Sequence, residues 1–556
     1  MKTKWKAKIT IGFIACLAVA LSALAGCSSS SKQLTAEQAS QELRALLTTI
    51  KTRTVEPQLD IGGIELSDPG AELPDISNYP FSVTGTGSIN VEIFASTEKA
   101  GPNMDGWINE IAGKFNKEGL KIGGSSVSVS IRPLASGLAT DYIVTGTYIP
   151  HAFTPSNELW GEMIRAQGIP IEKAAERIAG NTAGILMSKS KANEFTAKYS
   201  EITLKNVLDS VCNGELLLGY TNPYSSSTGL NILTALLQSF DSSDPLSDTA
   251  TEKLELFQSK VPPVAYTTAQ MRESAKKGVL DAMIMEYQAY INEPTLRDYV
   301  FTPFGVRHDS PVYALNNLSG NEMEALKLFI EYCQSADSQT EAARFGFNGN
   351  DNYKGEPLNL SGSQLFTAQS IWKAKKDAGK PVVAVFIADT SGSMEGTPIK
   401  ELKTSLINAS QYINEENYVG LVSYASNVEI DLPIDRFNAQ QKAYFTGAVK
   451  NLSASGSTAT YDAVLVGLDM LLKKQEEIPN AKLLLFVLSD GEQNEGHSLA
   501  RITSVVKGFG IPIHTIGYNA NLDELKKLSE INEASSVNAS ENDVIYNLKN
   551  IFNAQL

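Results

Sequence analysis

Asp389, Ser391 and Ser393 alternate along Asp389-Thr390-Ser391-Gly392-Ser393, immediately after the apolar run from Pro381 to Ala388. Such a run, with no polar alternation, reads as a strand covered on both faces of an α/β sheet. One carboxylate and two hydroxyls on the turn after that strand gather three hard oxygen donors. That is the donor set of Mg²⁺, which takes oxygens in near-octahedral geometry and keeps several waters. Asp and Ser also cap helices and turns, so the triplet by itself leaves both roles open. Other chemistries fare worse. The histidines (His151, His308, His497 and His514) are scattered, and no C-x-x-C or H-E-x-x-H spacing points to zinc. No G-x-S-x-G elbow supports a serine hydrolase. An aspartyl-phosphate site needs a second aspartate where Ser391 stands, and no G-x-G-x-x-G follows the strand.

The elements that must position the triplet follow in order. Apolar residues at helical spacing (Ile399, Leu402, Leu406, Ile407) predict a helix over 398–413. A strand is predicted over 418–424. Gly456-Ser-Thr-Ala-Thr-Tyr-Asp462 opens a helix over 463–474. A second buried strand, 482–488, ends in Ser489-Asp490-Gly491, and a last one, 511–516, precedes Gly517. This D-x-S-x-S series resembles the metal-ion-dependent adhesion site of von Willebrand factor A (VWA) domains. The resemblance covers about 175 residues, a size that suits one domain. It implies a Rossmann-like fold in which Thr458 and Asp490 complete the set begun by Asp389, Ser391 and Ser393. Gly-Ser-Thr stands here where the family more often has Gly-Gly-Thr, which leaves Thr460 as a competitor for Thr458. The resemblance further implies Mg²⁺, with Mn²⁺ or Ca²⁺ as substitutes, Asp490 acting through water, and a partner protein whose carboxylate fills the open site.

Lys2, Lys4, Lys6 and Lys8 precede an uncharged apolar stretch from Ile9 to Ala25, the order and length of a signal peptide. Leu24-Ala25-Gly26-Cys27 resembles the bacterial lipobox. That implies a leader over 1–26, a lipid on Cys27 and anchoring at the extracytoplasmic face of the cell envelope. Residues 27–84, rich in Ser, Pro, Gly and Asp after one short amphipathic stretch, read as a tether. The formal charge is −15, and removing the four lysines of 1–26, which contain no acid, leaves −19. A chain so acidic repels nucleic acid. Cys212 and Cys333 are too few for a disulfide scaffold; a pair or two buried free thiols both remain open.

From Ser88 the pattern becomes strand, loop, helix, repeated, which implies parallel α/β structure. Ile89, Val91 and Ile93 alternate, Trp107, Ile108, Ile111 and Phe115 line a helix, and Val127 to Ile131 alternate again. Ala183 to Lys189, Gly219 to Gly229 with its following helix, Leu280 to Tyr287, and Ser310 to Tyr332 then come in an order that resembles type II bacterial solute-binding proteins. The resemblance implies a two-lobed domain over 85–354. Hydroxyls and free N–H groups at helix starts suit a small polar or anionic ligand. The candidates are Ser96, Thr97, Ser136 and Ser156 in one lobe, and Ser226, Ser227, Thr228 and Tyr287 in the other. Every helix start also favours a Ser or Thr cap. Glu286 is placed to face the cleft, where its charge disfavours a simple inorganic anion. Trp160 reads as core.

Residues 355–380 read as a connecting helix, with Leu365, Phe366, Ile371 and Trp372 as its apolar side, ahead of a VWA domain over 381–556. The fold class is therefore α/β: a periplasmic-binding-protein-like domain followed by a Rossmann-like one. The function expected is that of a surface-anchored binding lipoprotein rather than an enzyme. One carboxylate among hydroxyls, with no base near it in sequence, offers little for metal-assisted hydrolysis. The alternative is a solute receptor that serves a membrane transporter.

Overall fold

The computed structural model describes residues 34–60, 73–261, 280–315, 317–490, 493–518, 522–532, 534, 536–539 and 544–556. The apolar leader and Cys27 lie outside these residues. Thr35 starts the first described helix, Ala36–Leu47, through a capping box with Gln38. Leu43 and Leu46 of that helix are buried in one cluster with Val464, Leu468 and Val505 of the C-terminal domain. After it, β1 (Thr52–Thr54) pairs in parallel with a strand near residue 430. The chain beyond β1 stays attached: Asp60 N–H donates to Ala443 O at 3.3 Å, and its carboxylate pairs with Lys450. Gly447 permits this, because a Cβ there would lie 2.0 Å from Gln58 O. The expected tether over 27–84 is thus corrected for 34–60, which is built into the C-terminal domain. Its docking helix buries apolar residues, so it cannot hang free.

The two-lobed domain follows. The first lobe carries β2 (Ile89–Ala95), β3 (Lys121–Ile122), β4 (Ser125–Pro133), β5 (Ala152–Thr154) and β6 (Ile171–Ala175). The second carries β7 (Thr182–Ser188), β8 (Leu218–Gly219), β9 (Ala282–Glu286) and β10 (Tyr299–Arg307), in the order β10-β7-β9-β8. Then β11 (Val312–Leu315) returns to the first lobe, whose order is β3-β4-β2-β5-β11-β6. The expected parallel pairing holds for β2 with β4 and β5 and for β8 with β9. Elsewhere it is replaced: β7 is antiparallel to both β9 and β10, and β11 to β5 and β6. Chain segments that cross between lobes enter a sheet from the opposite end, which a strand–helix repeat in sequence does not reveal. Cys333 is buried in the first lobe and Cys212 half-buried in the second, and both are free.

The helix Gly362–Lys375 leads into the C-terminal sheet: β12 (Val382–Asp389), β13 (Tyr418–Tyr424), β14 (Val428–Arg436), β15 (Lys482–Ser489), β16 (Ile513–Tyr518) and β17 (Ser536–Ala539). The seven strands run β1-β14-β13-β12-β15-β16-β17. Every residue of β12 is buried. Val382, Ala384, Phe386 and Ala388 enter the core on one face, and Val383, Val385 and Ile387 that on the other. The sheet is parallel except for β13–β14. β14 and the helix Ala439–Asn451 after it occupy a stretch where no element was expected.

Candidate metal site and inter-lobe seam

β12 and β15 are neighbours in register, so Asp389 and Asp490 emerge at the same C-terminal edge of the sheet, where open α/β sheets place their ligands. Asp389 is fully buried. Its Oδ1 accepts the Ser391 N–H at 2.8 Å. Its Oδ2 accepts from the Tyr424 hydroxyl at 3.1 Å and the Ser489 hydroxyl at 2.6 Å. The carboxylate is thereby fixed in one orientation. Ser391 and Ser393 present their hydroxyls 3.0 Å apart, and Ser393 donates to Asp490 Oδ1 at 2.9 Å. Burial pushes the Asp490 carboxyl up, the Asp389 charge adds to this, and the Ser393 bond opposes it.

The threonine loop is brought in by backbone bonds. Gly392 N–H donates to Gly456 O at 2.9 Å, and Ala459 N–H to Ala425 O at 3.0 Å. Thr458 is buried; its N–H donates to Asn494 Oδ1 at 2.8 Å, and its carbonyl accepts from the Asn494 and Glu495 N–H groups. Thr460 donates from its hydroxyl to Tyr424 at 3.2 Å, so it serves the residue that orients Asp389. His497 holds Asp462 through its N–H at 2.9 Å and Nδ1 at 2.6 Å, which pins the same loop. Tyr424, Ser489, Asn494 and His497 escaped the sequence reading. Ser489 stood in the quoted turn; the others carry no local signal.

The donors suit a small hard cation. Hydroxyls 3.0 Å apart match adjacent corners around an octahedral ion with ligands at about 2.1 Å. Among the described residues no group of three or more His, Cys, Asp or Glu gathers as a metal cluster. That excludes nothing here, because hydroxyls make up most of this donor set.

Of the expected ligand residues of the two-lobed domain, Ser136, Ser156 and Ser227 meet in a seam between the lobes. Ser227 Oγ accepts from Trp160 Nε1 at 2.8 Å and donates to Ser136 Oγ at 3.1 Å. Gly137 N–H donates to Ser225 O at 3.3 Å, and a Cβ at Gly137 would lie 2.2 Å from Tyr224 O. The helix start that was to receive a ligand therefore receives a carbonyl of the opposite lobe. Trp160 is buried as expected but also bridges the lobes. Ser226 caps its own helix, accepting from Gly229 N–H at 3.4 Å. Ser156 is buried beside Ser136, to whose hydroxyl its N–H donates at 3.5 Å. Thr97 is exposed. The Tyr287 ring packs on Tyr290 and Phe301. The hydroxyls of Thr154 and Thr228 and the Asn222 amide nitrogen are buried without a partner among the described residues.

A charged group lies beneath the seam. Ser96 Oγ is shared between Lys99 and Glu98, and Lys99 also donates to Pro155 O at 3.1 Å. Glu286 bonds His308 Nδ1 at 2.7 Å and accepts from Asn181 at 3.1 Å. Burial pushes the Lys99 amine down against the pull of Glu98. It pushes the Glu286 carboxyl up, helped by the Glu98 charge. Glu98, Lys99 and His308 were not expected, since nothing local in the sequence marks them.

Residues 384–554 match the family model of the von Willebrand factor type A domain, and residues 99–348 that of a bacterial extracellular solute-binding protein. Inter-alpha-trypsin inhibitor heavy chain H3 of Bos taurus is 29% identical over 159 residues, 26% of this chain and 18% of that protein. The chain thus spans about a fifth of the length of that relative. Among solved structures, the von Willebrand factor type A protein from Catenulispora acidiphila is 18% identical, with a TM-score of 0.29 over 31% of this chain and 42% of that one. Iron-bound HitA from Pseudomonas aeruginosa is 13% identical, with a TM-score of 0.38 over 52% and 99%. The chain carries a solute-binding domain and a VWA domain, and both are α/β.

Proposed function

We infer that this is a binding protein of the bacterial cell envelope, lipid-anchored through Cys27 at the extracytoplasmic face. Its VWA domain captures a partner protein through a divalent cation, Mg²⁺ by preference. Asp389, Ser391 and Ser393 hold the ion, with Thr458 and Asp490 beside it. When bound, the ion supplies an open coordination position for a carboxylate of the partner. The observation that carries this reading is the hydrogen-bonded row Asp389, Ser391, Ser393 and Asp490 at the adjoining ends of β12 and β15. Tyr424 and Ser489 do the orienting from behind.

Titration calorimetry of the full chain, stripped with EDTA and titrated with Mg²⁺ or Mn²⁺, tests it. Asp389→Ala loses binding, Ser391→Ala and Ser393→Ala weaken it, and Asp490→Ala weakens it less. Equal affinity in wild type and Asp389→Ala overturns the assignment. Asp389→Ala also removes an acceptor from the Tyr424 and Ser489 hydroxyls, at about 1–3 kcal/mol, so Asp389→Asn is the folded control.

The solute-binding domain serves as a scaffold latched by its cross-lobe bonds. The unpartnered Thr154, Asn222 and Thr228 atoms favour a second reading, in which the seam opens for a small polar ligand, as in a receptor for a membrane transporter. A metabolite screen by thermal shift separates the two. A ligand that stabilises wild type by mass action, but not the Ser226, Ser227 and Thr228 to Ala triple variant, establishes the receptor.

A further inference from the structure

The helix Gly362–Lys375 is fastened to the second lobe. Trp372 Nε1 donates to the Tyr220 hydroxyl at 2.7 Å, and Gln369 donates to Pro223 O at 2.9 Å. Its other side reaches the VWA domain, where Lys373 donates to Tyr412 O at 2.9 Å and to Asn553 Oδ1 at 2.6 Å. Between these attachments lies a cavity of about 290 Å³, lined from three sides. Gln258 comes from the second lobe, Lys376 and Asp377 from the connector, and Lys482 from the start of β15; Lys380 is exposed at its rim.

Among the described residues, the charges in this cavity do not balance. Asp377 is the only carboxylate among the described residues that line it, against three lysines. Lys376 Nζ lies 2.5 Å from one Asp377 oxygen, and Lys482 Nζ 3.0 Å from the other. The Lys376 side chain is 2% exposed. One carboxylate cannot neutralise two ammoniums, and an excess charge beside the buried Lys376 is costly unless something pairs with it. Burial holds the Lys376 amine down to about 8, with Asp377 opposing and Lys482 adding to the fall.

Gln258 points to the same kind of ligand independently. Trp372 Nε1 can only donate, so the Tyr220 oxygen accepts from it and gives its own proton to Gln258 Oε1, at 2.8 Å. That bond fixes the amide orientation. Gln258 Nε2 is then a buried donor with no partner among the described residues, on a residue 4% exposed that lines the cavity. An unpaired donor beside uncompensated ammoniums calls for an acceptor that carries negative charge.

We propose that the junction cavity is a binding site for a small oxyanion, phosphate or the phosphate group of a small metabolite, held by Lys376, Lys482 and Gln258. Its three walls belong to the second lobe, the connector and the VWA sheet, so the occupant ties the two domains together. β15 begins at Lys482 and its end adjoins Asp490, which places the anion and the metal site at opposite ends of one buried strand. The site stands apart from the cation site and does not depend on it.

The test uses the full chain in EDTA, so that the Asp389 site takes no part. Inorganic phosphate and glycerol phosphate are titrated separately at constant ionic strength while thermal unfolding is followed. The midpoint rises with anion concentration by mass action. A rise with inorganic phosphate alone assigns a free anion, and a larger rise with glycerol phosphate a phosphate monoester. Lys482→Gln, at a partly exposed residue, weakens binding at least about tenfold. Gln258→Glu keeps the acceptor for Tyr220 but repels the anion, and abolishes the rise. No rise in wild type at tens of millimolar of either anion overturns the proposal. An equal rise in wild type and in the Lys376→Met, Lys482→Gln double variant overturns it as well. Should the double variant fail to fold, Lys482→Gln alone decides by the same comparison.

Discussion

At the scale of single residues, position in sequence governed what could be foreseen. Asp389, Ser391 and Ser393 lie within five residues of one another behind a doubly buried strand, so their chemistry was legible. Tyr424 and Ser489, which orient Asp389, sit 35 and 100 residues away, and only the sheet register brings them there. Glu286 was placed at the cleft from sequence, but its grouping with Glu98, Lys99 and His308 was illegible for the same reason. Asp431 is a further case. It lies on β14, 9% exposed, with Oδ2 lacking a partner. Burial pushes its carboxyl up to about 6, Ser423 opposes, and the Glu429 charge adds to the rise. An acid with a raised folded pKa holds its proton more tightly when folded. Its contribution is fully present below about 3.8 and is lost as pH rises through about 6. Asp431→Asn therefore stabilises the protein at neutral pH by about 1–3 kcal/mol and flattens the loss of stability between those two values. Denaturant unfolding across that window reads both effects; an unchanged pH profile in the variant refutes the account.

At the scale of elements, strands that announce themselves by buried apolar runs were foreseen, and those carried by backbone pairing were not. β12, β13, β15 and β16 are of the first kind. β1 is three exposed residues, Thr52-Arg53-Thr54; it joins the sheet through main-chain bonds to β14, continued by Val55 N–H to Ile430 O at 2.9 Å. Nothing in Thr-Arg-Thr marks such a strand. The helix before it showed its amphipathic spacing, but a spacing does not say which surface it meets. Its docking is specific. A Cβ at Gly508 would lie 2.7 Å from the Ala39 Cβ, Leu43 is 2% exposed, and Glu42 pairs with Arg501. Leu43→Ala should cost about 2–5 kcal/mol, as other buried Leu truncations do. A residue on a spacer would change stability by no more than about 0.5 kcal/mol. Equilibrium unfolding in denaturant distinguishes these outcomes directly.

At the scale of the whole molecule, the chain begins and ends its described course on the same domain. β1 forms one edge and β17 the other, while the two-lobed domain departs after residue 60 and returns through the helix Gly362–Lys375. The solute-binding domain is therefore an insertion between parts of the VWA domain rather than a neighbour in series. On the proposed reading, an amino-terminal lipid anchor pulls on the VWA domain itself. The connector belongs physically to the inserted domain, for Trp372 is fully buried in the second-lobe core with Tyr220 and Phe257. These placements give opposite expectations for two substitutions more than three hundred residues apart. Trp372→Ala, at about 3–5 kcal/mol, lowers the calorimetric transition of the two-lobed domain. Leu43→Ala lowers the transition of the VWA domain, although Leu43 precedes the two-lobed domain in sequence. Divalent ion identifies which transition is which, because it raises only the one that contains Asp389. If Leu43→Ala leaves the ion-sensitive transition in place and shifts the other, the amino-terminal segment does not belong to the VWA fold, and the domains follow one another as two separate beads.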